Sequence, residues 1–73
     1  MSELLNSLKD ERERLGLTQA GLAERAGVSR KTINTVENGV FVPSTILALK
    51  LAAALGRPVE SLFRLDDESV SAK

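Results

Sequence analysis

Arg30, Lys31, Asn34 and Thr35 project from one side of a helix if Ile33 and Val36 turn to the other, with Ser29 and Thr32 near its start. These side chains suit recognition of base-pair edges better than bond-making. Arginine or lysine donates to guanine O6 and N7, an asparagine amide pairs with adenine through both its ends, and a threonine methyl meets the thymine methyl. On an isolated helix the same residues would form an ordinary solvated face, so the weight falls on what surrounds them.

A pair of short helices must position them. Leu22, Ala23 and Ala26 share one helical face, Gly27 interrupts it, and Val28, Ile33 and Val36 line a second helix, so both stripes face a shared core. Thr18 and Ser29 each precede a helical pattern, where a hydroxyl accepts a hydrogen bond from an unpaired backbone N–H. Gly27 stands where the connection needs a positive φ that costs glycine nothing. Ala23 is small where the second helix crosses closely. Jointly these residues spell out a helix-turn-helix.

With these go Leu15-Gly16-Leu17-Thr18-Gln19, Gly27-Val28-Ser29-Arg30, Glu37-Asn38-Gly39, Pro43-Ser44 and Leu51-Ala52 through Ala54-Leu55-Gly56. On these words residues 3–65 resemble the XRE family of helix-turn-helix regulators, which includes phage repressors and Cro proteins. The resemblance implies a compact all-α bundle of five helices on double-stranded DNA. It implies base reading by Arg30, Lys31 and Thr35, to which side-chain chemistry adds Thr32 and Asn34. It implies a phosphate contact from Gln19, with Thr18, Ser29 and Asn38 as further candidates for the DNA backbone.

Arg12 lies on the apolar stripe of the first helix and Glu37 beside Val36 on the inward face of the third, where an unpaired charge is expensive. The two charges can satisfy each other's burial, or one or both side chains can reach solvent along their stems. The resemblance implies the first, an internal ion pair.

The chain departs from the family pattern at three places. Gly21 sits inside a helix at a cost of roughly 1 kcal/mol relative to alanine, or else admits close approach to DNA. Ser44-Thr45-Ile46-Leu47 lacks the acidic residue of a capping box. Val40-Phe41-Val42 puts three apolar residues in a loop where relatives carry polar ones, which removes a backbone contact.

Composition narrows the alternatives. The 73 residues contain no cysteine and no histidine, so disulfides, thiolate or imidazole metal sites and triad chemistry are disfavoured, and no cofactor is expected. The formal net charge is zero, yet residues 25–56 carry Arg25, Arg30, Lys31 and Lys50 against Glu37 alone, so positive charge gathers around the second helix of the motif. The apolar stretch from Ile46 to Leu55 is broken by Lys50 and too short to span a bilayer, and no signal pattern opens the chain, which suggests a cytoplasmic protein. Glu11 with Glu13, and Asp66 with Asp67, supply carboxylates on a solvated face or tail, so enzymatic activity is not expected.

The expected elements are a helix from Glu3 to Arg14, the motif pair, a helix over 45–55 with Ile46, Leu49 and Ala53 facing inward, and a short one from Val59 to Phe63 after Pro58. One domain, residues 1–65, is followed by a disordered acidic tail, residues 66–73. Val40, Phe41, Leu62, Phe63 and Leu65 are candidates for a homodimer interface, with Phe41 equally suited to folding under onto the fourth helix. The length leaves no room for a ligand-sensing domain, so a bacterial or phage-type repressor controlled by its own concentration is the expected function. The alternative is an antitoxin or similar module whose main partner is a protein such as a toxin.

Overall fold

The computed structural model describes residues 4–66. Along the chain lie β1 (Leu4–Asn6), α1 (Leu8–Arg14), α2 (Gln19–Ala26), α3 (Arg30–Glu37), α4 (Thr45–Leu55), α5 (Val59–Leu62) and β2 (Phe63–Leu65).

The fold is mostly helical but not strictly all-α, because the two ends of the described chain form an antiparallel pair. Leu4 lies opposite Leu65, Leu5 opposite Arg64 and Asn6 opposite Phe63, and Ser7 N donates to Leu62 O at 2.8 Å. The expected first helix therefore loses its first turn to a strand, and Glu3 lies outside the described residues. The way α1 begins accounts for the change. Ser7 precedes α1 without capping it, and the Asn6 Oδ1 accepts from Leu8 N at 3.1 Å instead, which stops the helix from extending backwards. Leu4 is half-buried against the core, a position gained through its strand pairing.

The starts of α2, α3 and α4 follow capping chemistry, whereas α5 begins after Pro58 without a side-chain cap. Thr18 accepts from Gly21 N at 2.9 Å, Ser29 from Thr32 N at 3.1 Å and Ser44 from Leu47 N at 3.1 Å. At the other end of α2, Gly27 takes φ 72°, Val28 N donates to Ala23 O at 2.9 Å and Gly27 N to Glu24 O at 3.2 Å. This left-handed reversal turns the chain sharply into α3. A Cβ on Gly21 would lie 3.2 Å from the Thr18 hydroxyl oxygen, so this glycine is hemmed in by its own helix cap.

Leu8, Leu22, Ile33 and Leu51 are fully enclosed, with Val36, Leu55 and Leu62 nearly so. The phase of α4 differs from expectation. Leu47, Leu51, Ala52 and Leu55 face the core, whereas Ile46, Leu49 and Ala53 face solvent. Two of the proposed interface residues are corrected by the same packing. Leu62 is 1% exposed and Phe63 8%, so both complete the chain's own core, while Val40, Phe41 and Leu65 remain exposed. Phe63 also leaves the last helix for β2. The expected tail beyond Asp66 lies outside the described residues. No described helix is long and apolar enough to cross a membrane.

Candidate nucleic-acid interface

The outward face of α3 carries Arg30, Lys31 and Asn34, all exposed and lining one shallow concavity. Asn38 donates to the Asn34 Oδ1 at 3.3 Å along the helix. That contact biases the Asn34 amide while leaving its two N–H groups and a lone pair for a partner.

The threonines of α3 are less free. Thr32 is half-buried, and its hydroxyl lies 2.9 Å from that of Ser29 at the helix start. Thr35 points its hydroxyl back at Lys31 O and Thr32 O, 3.1 and 3.0 Å away. With its proton committed to the helix backbone, Thr35 offers outward only a methyl group and lone pairs. Thymine methyls and base amino groups suit it better than acceptors do.

Beneath α3, Arg12 and Glu37 come together. Arg12 Nε donates to Glu37 Oε2 at 2.7 Å, Nη2 to Oε1 at 3.2 Å and Nη1 to Leu17 O at 2.8 Å. The side chains are 10% and 3% exposed, respectively, so this is a buried two-point pair. Its hydrogen bonds to Glu37 hold the Arg12 guanidinium above its usual pKa against the opposing effect of burial. Gln19 joins the same carboxylate, donating from Nε2 to Glu37 Oε1 at 3.0 Å. One N–H of its amide is thereby spent inside the protein and one is left for an outside acceptor. Thr18 and Asn38 are exposed, and Ser29 shares its hydroxyl between α3's cap and Thr32.

Elsewhere, Glu11 accepts from Arg14 Nε at 2.8 Å and Arg57 Nε at 3.1 Å, which keeps its carboxyl below the usual range. Among the described residues no cluster of acidic side chains could hold a metal.

The helix-turn-helix family model matches residues 8–62, which include both helices, the reversal at Gly27 and the ion pair beneath them. The chain belongs to the XRE family of helix-turn-helix regulators. This XRE-family chain is 50% identical over 62 residues to an HTH-type transcriptional regulator of Methanothermobacter thermautotrophicus, covering 84% of this chain and 90% of the relative. It is 41% identical over 64 residues to the regulator YgzD of Bacillus subtilis, covering 88% and 97%. A crystal structure of the restriction-modification controller protein C.AhdI from Aeromonas hydrophila superposes with a TM-score of 0.72 at 35% identity, over 74% of this chain and 82% of that one. More distantly, 48 residues are 44% identical to Antitoxin HigA-1 of Vibrio cholerae, 66% of this chain and 45% of that protein.

Sequence reasoning overlooked one polar residue at this site. Asn6 Nδ2 donates to Val36 O, in the last turn of α3, at 3.1 Å. No signal in the sequence marks it, because the contact spans 30 positions and starts from an element three residues long.

Proposed function

We propose that the chain is a sequence-specific repressor that binds a palindromic operator as a homodimer, with α3 in the major groove. The observation that carries this reading is the exposed trio Arg30, Lys31 and Asn34 on the second helix of the motif. Their donors and acceptors match purine edges. A two-fold dimer would read two half-sites a helical turn apart.

The partner copy is supported by an apolar surface the monomer does not cover. Val42 and Leu49 border one groove and Phe41 and Ile46 the next, so the loop and the outward side of α4 form adjoining surfaces. Val40 is 77% exposed, Ile46 68% and Val42 65%, a concentration typical of an interface. Ile46 and Leu49 take the places that Leu62 and Phe63 cannot fill. The similarity to an antitoxin favours, as a second reading, a protein partner on this same face.

Replacing Arg30 or Lys31 by alanine is expected to cost about 1–3 kcal/mol of operator binding and to relax preference at particular base pairs. Gln19→Ala is expected to weaken binding to every sequence alike. Footprinting and titration against the selected site check this; unchanged affinity and preference in both the Arg30 and Lys31 variants would remove α3 as the reader.

Leu49→Asp tests the assembly. Leu49 is already 57% exposed, so the monomer should melt as before while dimer association and operator affinity fall together. Sedimentation over a range of concentrations checks it. A wild-type chain that stays monomeric at micromolar concentration, or an unaffected variant dimer, rules out this interface.

A further inference from the structure

Asn6 uses both ends of its amide, and each end reaches a different helix. Its Oδ1 accepts from Leu8 N at the start of α1, and its Nδ2 donates to the carbonyl of Val36 in the last turn of α3, both at 3.1 Å. The residue that holds the amide in place is itself fixed, because Asn6 pairs with Phe63 in the terminal sheet and Ser7 N bonds to Leu62 O.

We infer that Asn6 is a positioning residue for DNA reading, which sets the attitude of α3 through the Val36 carbonyl. The inference rests on the proposed role of α3 as the reader. Two adjacent residues at the end of that helix are tied to different parts of the fold. Glu37 is held from α1 and α2 by Arg12 and Gln19, and Val36 is held from β1 by Asn6. Ile33 and Val36 seat α3 in the core, and the ties at Glu37 and Val36 set the roll that remains. That roll decides how Arg30, Lys31 and Asn34, up to two turns away, meet base edges.

The chemistry calls for this side chain. Val36 O requires a donor and Leu8 N requires an acceptor, and an asparagine amide carries both within one short group. Aspartate would keep the acceptor and lose the donor. Alanine would lose both. The Val36 carbonyl also accepts from Gly39 N at 3.1 Å, so it retains a partner when Asn6 lets go and the helix end need not unfold. The predicted loss is thus one of orientation rather than of structure.

The full chain is compared as wild type, Asn6→Asp and Asn6→Ala. Each is titrated with a duplex selected by the wild type from a pool with a randomised centre, and with a scrambled duplex of the same composition. Thermal unfolding and amide exchange at Gly39 are followed without DNA. Asn6→Asp should melt close to the wild type and leave exchange at Gly39 unchanged, because the Gly39 N–H keeps its bond to Val36 O. It should bind the selected duplex about three- to tenfold more weakly, the scale of one hydrogen bond's net contribution. The ratio of its selected to its scrambled affinity should fall by that factor, whereas the added negative charge weakens both duplexes alike and leaves the salt dependence, which phosphate contacts set, close to the wild type's. Asn6→Ala should show the same loss of preference and a lower melting temperature as well.

A wild-type preference retained in both variants overturns the inference. So does a preference lost only in proportion to the unfolded fraction and restored on cooling, since that pattern marks a purely structural role. A wild type that does not distinguish the two duplexes fails at an earlier step: it overturns α3 as the reader, and is visible before any variant is compared.

Discussion

Glu37→Ala is expected to lower the unfolding free energy by about 3–5 kcal/mol, more than the usual single substitution, because it leaves the Arg12 charge enclosed without its counterion. Glu37 accepts from Arg12 Nε, Arg12 Nη2 and Gln19 Nε2, and its side chain is only 3% exposed. Removing it strands three donors at once. The intact pair need not be strongly stabilising, since taking both ions out of water offsets much of their attraction. The contrast is testable with Arg12→Met combined with Glu37→Leu, which should recover most of the loss from either single replacement. Urea titration of the two single variants and the double variant provides the measurement. A Glu37→Ala chain within 1 kcal/mol of wild type would show that Arg12 reaches water.

Ile33→Ala is expected to cost about 2–5 kcal/mol, and Ile33→Val about 0.5–1.5 kcal/mol. Ile33 is fully enclosed on the side of α3 opposite the exposed trio, so the lost methyls lie where α3 packs on the rest of the core. Ile33→Val should keep its operator preference because the helix retains its seat, whereas Ile33→Ala should loosen preference and stability together. Denaturant midpoints with paired DNA titrations distinguish the two. If the alanine variant were as stable as the valine variant, the cavity would have collapsed and Ile33 would not be what seats the helix.

The motif was legible because its signals are local. Thr18, Ser29 and Ser44 announce helix starts, Gly27 and Gly56 announce ends, and Leu22 with Ala26 on α2 and Ile33 with Val36 on α3 keep helical spacing within their own helices. The strand at Leu4–Asn6 was not legible. Leu4, Leu5 and Leu8 fit a helical face as well as anything, and the choice between helix and strand was made by β2 at the far end of the chain. Nor was the phase of α4, because Ile46, Leu47, Leu49, Leu51, Ala52 and Ala53 leave hardly a polar side to point outward. Only packing chose Leu47, Leu51 and Leu55 for the interior. At the site itself, residue types named Arg30, Lys31 and Asn34. The commitments of Gln19 to Glu37, 18 positions away, and of Thr35 to its own helix leave no mark in residue type or spacing.

Closing the sheet joins Leu4 to Leu65, nearly the whole described chain apart, whereas α2 and α3 meet across a few residues of turn. Loop closure therefore weighs on the two regions unequally. The helix pair is expected to assemble early from neighbouring sequence, and the strands to zip together last and to part first when the ends are pulled. Newly made chain would thus hold its helix pair before the terminal strands close, and a fusion that drags on either end would part the strands without melting the motif.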